Sequence, residues 1–267
     1  MAKTSQRIAL PGGALAHDTG ASAGALGLLG AVAVFALAIV CFVAESYFLA
    51  MLLVSIALLI YVAGGEIKKL VQSSLTVFFS SRHVVENAVH LSNTVAALRK
   101  ALYMKRDDQG NIKAGPIEEG TPIKLPDNPL VRELKAVLRH KKGEESQEYT
   151  EYVAHHYYVD CRERYDHFHA HLEFVANVMP LFGLIGTVIG LIGMFDRLGS
   201  NTSVENLAPE LAISLQCTLF GAILASVYLS AASRFEQRIK ALEYDYEILV
   251  HALDVLVRHN AHIEVQA

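Results

Sequence analysis

Two apolar blocks, residues 174–195 and 211–232, constrain this chain more than any other feature, because neither contains Asp, Glu, Lys, Arg or His. Each has about the 20 residues that an α-helix needs to cross the hydrocarbon core of a bilayer. A third apolar block, residues 25–60, is roughly twice that length. The chain is 52% hydrophobic and only 19% charged, with a mean hydropathy of +0.32, which is too apolar for an ordinary soluble domain. The pattern predicts an all-α polytopic membrane protein.

The long first block is interrupted only at Glu45-Ser46. It is predicted to form two spans, residues 23–44 and 47–62, joined by a tight turn at Glu45. One long helix, partly outside the membrane, is the alternative. Two spans in this block give a total of four transmembrane spans, whereas one long helix gives three.

Composition along the chain suggests five segments. The hydrophilic region between spans two and three is predicted to hold an amphipathic helix to about residue 104, a Pro- and Gly-rich loop, a short helix near residues 130–141, and a helix from about residue 144 into span three. The predicted segments are a cytoplasmic tail 1–22, a transmembrane hairpin 23–64, a cytoplasmic helical domain 65–173 with loop 106–129, spans three and four in 174–232, and a cytoplasmic helix 233–267.

The last segment carries a heptad pattern, with apolar residues spaced 4, 3, 4, 3, 4, 3. These residues are Phe235, Ile239, Leu242, Tyr246, Leu249, Leu253 and Leu256. The pattern predicts that span four continues as a cytoplasmic helix packed on neighbouring helices. A solitary amphipathic helix is the alternative.

Basic residues predict the orientation. They follow spans two and four and precede span one, whereas the loop 196–208 between spans three and four has only Arg197. The positive-inside rule then places both termini and residues 66–173 in the cytoplasm.

Span three reads MPLFGLIGTVIGLIG from Met179. Its glycines fall at helical positions i, i+3, i+7 and i+10 and form one face, with Thr187 beside it; they are Gly183, Gly186, Gly190 and Gly193. Small faces allow helix backbones to approach closely in lipid. A GxxxG step alone is a weak signal, since many membrane helices contain one.

Span four has a matching stripe of small residues, Ser214, Thr218, Gly221 and Ala225. Polar groups at bilayer depth usually face the protein interior or a cavity, so two threonines at similar depth predict a shared lining. The simpler alternative is that each hydroxyl only bonds the carbonyl one turn earlier. A proton carrier needs a titratable group in the membrane. Since both span centres lack one, another chain would have to supply the carboxylate.

These residues resemble the MotA/TolQ/ExbB proton-channel family over about residues 170–235. The resemblance consists of a span-opening proline at Pro180, the motif G-x-x-G-T-x-x-G, and an Ala-Pro step at Pro209 before a span with a central threonine. It implies a bacterial inner-membrane subunit of an ion-driven motor, not an enzyme. Five copies would surround two single-span partners of MotB, TolR or ExbD type. The partner's aspartate would carry the transported ion, a proton or alternatively sodium, and no cofactor is expected. Thr187 and Thr218 match the family's two pore-facing threonines.

The remaining pore-lining candidates are Ser214, Gly183, Gly186, Gly190 and Gly221. Glu210 is the candidate for the entrance of the ion path. Some ExbB-type members carry a glutamate where this chain has Ile213. The four spans resemble the MotA branch and the threonine pair resembles TolQ and ExbB, so the subfamily and the process that is driven stay open.

Other motifs favour simpler interpretations. His167 and His171 share a helix face as two zinc ligands could, but no cysteine or HExxH pattern accompanies them, so a solvated or pH-sensitive helix and no metal site are expected. Patterns GxxxxGK[ST] and GxGxxG are missing from the sequence, which argues against a nucleotide-driven machine. A non-conducting oligomeric scaffold is the alternative function.

Overall fold

The computed structural model describes most of the chain outside its N-terminal tail and several connecting segments. The described residues are 20–80, 83–102, 105–106, 112–113, 123–140, 144–198, 208–258 and 263–266. Most of the predicted tail 1–22, much of the predicted loop 106–129, and residues 199–207 between spans three and four lie outside them. The chain divides into two compact units, Met1–Ile67 and Lys68–Ala267.

The first unit is a pair of helices, α1 (Gly20–Val43) and α2 (Tyr47–Ala63), connected by a very short turn. Glu45 lies in this turn with φ 61°, the left-handed region that non-glycine residues seldom adopt. The N–H of Ser46 donates to the carbonyl of Cys41 at 3.0 Å, which closes the end of α1. The predicted turn at Glu45 is therefore confirmed, and the alternative of one long helix is wrong.

Two glycines shape the far end of this unit. Gly64 ends α2 with φ 52° and begins a 3-10 turn, Gly64–Glu66. A Cβ at Gly27 of α1 would lie 3.0 Å from the Cα of Gly64, so this position has no room for a side chain. Gly27 thus allows α1 to approach the backbone at the end of α2.

The second unit begins with α3 (Ile67–Phe79) and α4 (Glu86–Ala101). The sequence predicted one amphipathic helix to about residue 104, and this is wrong: the helix is broken between Phe79 and Glu86. A tertiary contact lies at the start of α4, where the hydroxyl of the buried Tyr165 accepts the N–H of Val84 at 3.1 Å and the backbone of Val85 is extended.

Short strands flank the next helix. β1 (Lys105–Arg106) and β2 (Ile112–Lys113) pair antiparallel, whereas β3 (Ile123–Pro126) pairs in parallel with β4 (Ile263–Gln266). The prediction of a loop over 106–129 is therefore wrong for Arg106 of β1, for β2 and β3, and for the first residue of α5 (Pro129–His140). Helix α5 itself matches the predicted short helix.

The C-terminal prediction also needs correction, since the helix ends at Arg258 and β4 follows. Ile263 and Val265 alternate with polar residues, a pattern that suits a strand, and pairing with β3 satisfies backbone groups of both segments.

Two long helices, α6 (Glu144–Leu198) and α7 (Ala208–Arg258), form the centre of the second unit and pack along each other. Each continues unbroken from the hydrophilic region through a predicted span, as expected. The heptad residues of α7 are buried except Tyr246, which is half-buried and stacks on Tyr158 of α6 with ring centroids 4.4 Å apart. Helix–helix packing along this seam is confirmed, and α4 packs on α6 and α7 as well.

Among the residues that the structure describes, three helical stretches are long and apolar enough to cross a membrane: Tyr47–Phe79, Gln147–Asp196 and Ala208–Arg258. The apolar stretch Gly27–Val43 of α1 is shorter. Large apolar side chains of these helices are exposed, as expected for surfaces in contact with lipid. The architecture is thus that of an α-helical membrane protein, and the total of four spans and the cytoplasmic termini stay predictions.

Candidate functional site

The glycine face of α6 lies directly against α7. A Cβ added to Gly183 would lie 3.1 Å from the carbonyl oxygen of Cys217, and one added to Gly190 would lie 2.9 Å from the carbonyl oxygen of Glu210. At Gly186 the added atom would lie only 2.4 Å from the Cβ of Cys217. Backbone and short side chains of α7 therefore occupy the space that larger residues on α6 would need.

This contact changes the interpretation of the predicted pore-lining residues. Gly183, Gly186 and Gly190 of α6 and Ser214 and Gly221 of α7 are buried between the two helices of the same chain. They were expected to let the spans pack closely around a partner helix. In this chain they allow close packing of α6 on α7, and their place along an ion path stays a prediction.

The buried face of α7 is rotated from the predicted stripe. Ser214, Cys217, Gly221 and Leu224 are buried, whereas Thr218 is exposed at the edge of the α6–α7 contact. Cys217 was missed because the stripe was chosen for small polar residues at i and i+4. The spacing i, i+3, i+7 and i+10, applied to α7 as it was to α6, would have found this residue.

Hydroxyl groups meet at the middle of this contact. The Oγ of Ser214 donates to the carbonyl oxygen of Thr187 at 2.8 Å, which links the two helices. The hydroxyls of Thr187 and Thr218 are hydrogen-bonded to each other. The structure thus brings together three of the predicted site residues, Thr187, Ser214 and Thr218, hereafter the hydroxyl cluster.

The two threonine hydroxyls have two ways to arrange their protons. Thr187 Oγ1 lies 3.1 Å from the carbonyl oxygen of Gly183, and Thr218 Oγ1 lies 3.3 Å from that of Ser214. If Thr218 donates to Thr187, then Thr187 donates to the carbonyl of Gly183 or to that of Ser214, which is 3.3 Å away; if Thr187 donates to Thr218, then Thr218 donates to the carbonyl of Ser214. Both arrangements use every proton, so the pair can reverse the direction of its hydrogen bonds. Back-bonding to the same helix is therefore only part of what these hydroxyls do.

The prolines and Glu210 occupy the ends of these spans. Pro180 lies inside α6, which runs through it unbroken, and its position at the opening of span three stays a prediction. Pro209 is the second residue of α7, where the fixed φ of proline suits a helix start. A Cβ on Gly193 would lie 2.9 Å from Oε2 of Glu210, so the absence of a side chain at Gly193 makes room for this carboxylate.

Comparison with known proteins bears on this pair of helices. Residues 126–248 match the model of the MotA/TolQ/ExbB proton channel family. Residues 126–248, a little under half of the chain, belong to this family. The match includes the whole hydroxyl cluster, all of α6 and most of α7, and the resemblance inferred from the sequence is confirmed.

Curated relatives come from more than one branch of the family. The chain is 37% identical over 81 residues to Motility protein A of Aquifex aeolicus, covering 30% of this chain and 29% of that protein. It is 30% identical over 92 residues to the Tol-Pal system protein TolQ of Haemophilus influenzae, covering 34% and 40%. Motility protein A of Cereibacter sphaeroides is 32% identical over 74 residues, covering 28% of each chain. The matches thus span 28–40% of the relatives' lengths, and no solved structure matches significantly.

The hydrophilic part of the second unit contains buried titratable groups with structural roles. Burial and the nearby Asp160 raise the pKa of the Cys161 thiol to about 12, so this thiol is protonated at neutral pH. Burial also raises the pKa of Tyr165, and burial together with Arg238 lowers the pKa of His83, whose Nδ1 lies 3.2 Å from the Tyr165 hydroxyl. Tyr165 of α6 thus contacts His83 and Val84, and Arg238 of α7 donates to the carbonyl of Ser80 at 2.7 Å, so residues between α3 and α4 are held against both long helices.

Metal sites with three or more protein ligands were also sought. Among the residues that the structure describes, no three His, Cys, Asp or Glu side chains come together in a way that could hold a metal ion.

Proposed function

We propose that this chain is the channel-forming subunit of an ion-driven complex of the bacterial inner membrane, in which five copies surround two single-span partner helices. The match to the family supports the assignment of the chain as a channel or motor subunit and not as an enzyme. It also supports a multi-pass membrane protein. The ion is a proton, with sodium as the alternative. The partner's aspartate supplies the carboxylate that the sequence lacks in spans three and four.

One observation carries this proposal: the Thr187–Thr218 hydroxyl pair in the middle of two apolar helices, with Thr218 exposed beside it. A buried pair would have no access to a second chain. Because Thr218 is exposed, its hydroxyl can be reached by a partner side chain packed against this edge. A pair that reverses its hydrogen bonds can donate to a carboxylate or accept a proton from a carboxylic acid, as an ion path requires.

Passive proton flux into liposomes tests the proposal. The chain is reconstituted with the aspartate-bearing partner encoded next to it, and wild type is compared with Thr187→Val, which keeps the side-chain shape and removes the hydroxyl. A hydrogen bond to a charged group is worth about 1.5–3 kcal/mol. Loss of one at the transport barrier therefore lowers flux by roughly tenfold or more.

Ser55→Ala is the matched control, because the Ser55 hydroxyl donates to the carbonyl of Leu52 at 2.7 Å within α2, outside the segment that matches the family. Partner-dependent flux that falls in Thr187→Val but not in the control would support the proposal. Flux that is unchanged in Thr187→Val would leave a channel but remove the threonine pair from its path. If assembled complexes conduct in no combination, the chain is a scaffold.

A further inference from the structure

A second site lies in α6, just before the stretch that is predicted to enter the membrane. His167 and His171 are one helical turn apart, and their Nε2 atoms are 3.0 Å from each other. Their ring centroids are 4.1 Å apart, with the ring planes at 64°. Shared position on a helix face was evident from the spacing, but only the structure shows that the two Nε2 atoms lie within 3.0 Å of each other.

This separation matches two neighbouring ligands of a metal ion. With metal–nitrogen distances of about 2.0–2.1 Å, nitrogens 3.0 Å apart subtend roughly 90–95° at the metal. Octahedral and square-planar ions place adjacent ligands at right angles, whereas a tetrahedral ion needs nitrogens roughly 3.3–3.4 Å apart. We propose that His167 and His171 form a two-histidine site for a divalent transition-metal ion of the Ni²⁺ or Cu²⁺ type, with water in the remaining positions.

Exposure suits such a site. His167 is exposed and His171 is half-buried, so an ion can reach both nitrogens and keep several of its waters. No third protein ligand is required, which agrees with the lack of any cluster of three ligating side chains among the described residues. An ion held by both imidazoles would clamp the turn 167–171 and stabilise α6 where it approaches the membrane.

Other histidines of α6 have different contacts. His155 Nδ1 lies 3.2 Å from the Tyr246 hydroxyl, and His156 stacks on Tyr152. His169 lies 3.7 Å from the carboxylate of Glu173. They serve as internal comparisons, because His155 and His156 are adjacent in sequence and point about 100° apart around the helix, which prevents chelation of one ion.

A direct hydrogen bond between the two neutral imidazoles is the competing explanation of the 3.0 Å distance. In that arrangement one Nε2 carries a proton and the other accepts it, and no ion is involved. The two explanations differ in what happens when metal is added.

The test is isothermal titration calorimetry of NiCl₂ into the full chain, purified in detergent without a polyhistidine tag. We expect saturable binding of one ion per chain, with the affinity lowered at least tenfold by His167→Ala and by His171→Ala. The His155→Ala/His156→Ala double variant, which removes two histidines of the same helix, should bind as wild type does. Equal elution volume and far-UV circular dichroism verify that each variant is folded.

Two results would overturn the proposal. One is wild-type protein without saturable binding at one equivalent. The other is wild-type affinity in His167→Ala or in His171→Ala, including the case in which binding is lost only in the His155→Ala/His156→Ala variant. As a second readout, the electron paramagnetic resonance spectrum of the Cu²⁺-loaded chain should show coupling to two imidazole nitrogens, and to at most one in His171→Ala.

Discussion

The tightest contact between α6 and α7 is at Gly186, and it makes Gly186→Ala a severe test of the packing described above. The new Cβ would lie 2.4 Å from the Cβ and 2.7 Å from the Sγ of Cys217, which is fully buried. Carbon atoms in contact normally lie about 3.5–4.0 Å apart, so the helices must separate locally by roughly 1 Å. Overpacking of this kind costs about 1–3 kcal/mol, against a gain of up to about 1 kcal/mol when alanine replaces a helical glycine. We expect a net loss of about 1–2 kcal/mol in the free energy of unfolding.

Denaturant unfolding in detergent micelles, followed by far-UV circular dichroism, measures this loss. Gly30→Ala in α1 is the matched control, because its Cβ would meet only Ile60 Cγ2, at 3.8 Å, and should be neutral or slightly stabilising. Cys217→Gly provides the complementary change, since the nearest remaining α7 atom to a Cβ at 186 would then be the Cα of residue 217, at 3.9 Å.

In a double-mutant cycle, Gly186→Ala should be less harmful in the Cys217→Gly background by about 1 kcal/mol or more. The reasoning is refuted if Gly186→Ala is as stable as wild type. It is also refuted if the two substitutions are additive, because the cost would then not arise from the contact with Cys217.

Two further predictions concern the hydrophilic part of the second unit. Tyr165→Phe removes the acceptor of the Val84 N–H, and because a buried unsatisfied donor costs about 1–3 kcal/mol, the midpoint of thermal unfolding should fall. Tyr152→Phe, at an exposed residue, is the control and should leave the midpoint unchanged. Equal unfolding midpoints for the two variants would contradict the role of the Tyr165 hydroxyl. Burial raises the pKa of Asp245, partly offset by Ser92 and Arg99. The folded state therefore holds this proton more tightly than the unfolded state, and the resulting stability is full below about pH 4 and is lost as pH rises through the raised pKa. As pH rises from about 4 through the raised pKa, the free energy of unfolding of the wild type should therefore fall relative to that of Asp245→Asn. Denaturant titrations at several pH values measure this, and a difference that does not change with pH would show that the Asp245 carboxyl has the same pKa in the folded and unfolded states.

Some site residues were evident from the sequence and others were not. The hydroxyl cluster could be predicted because polar residues in an uncharged apolar block are few and fall at helical spacing, and Thr187, Ser214 and Thr218 do meet. The partner of the glycine face could not be predicted, because periodicity shows which residues share a face but not what covers it. Helical spacing could have placed Cys217 on the buried face of α7, but its fit against Gly186 on another helix could not be predicted from spacing.

The broken helix and the terminal strand depend on contacts distant in sequence. At the α3–α4 break, Val84 donates to the hydroxyl of Tyr165, which lies about 80 residues further along the chain. The strand Ile263–Gln266 exists because β3 lies beside it.

By itself, the sequence determined that this is a helical membrane protein, where its chain turns at Glu45, that α6 and α7 each run on from a hydrophilic region, and to which family they belong. These properties depend on apolar length, on periodicity and on local motifs, which neighbouring residues specify. Only the tertiary structure decided that the glycine face closes on α7 of the same chain, that Thr218 stays exposed at its edge, and that two imidazole nitrogens of α6 converge. Such features depend on distances of a few ångströms between side chains, which no spacing along the chain specifies.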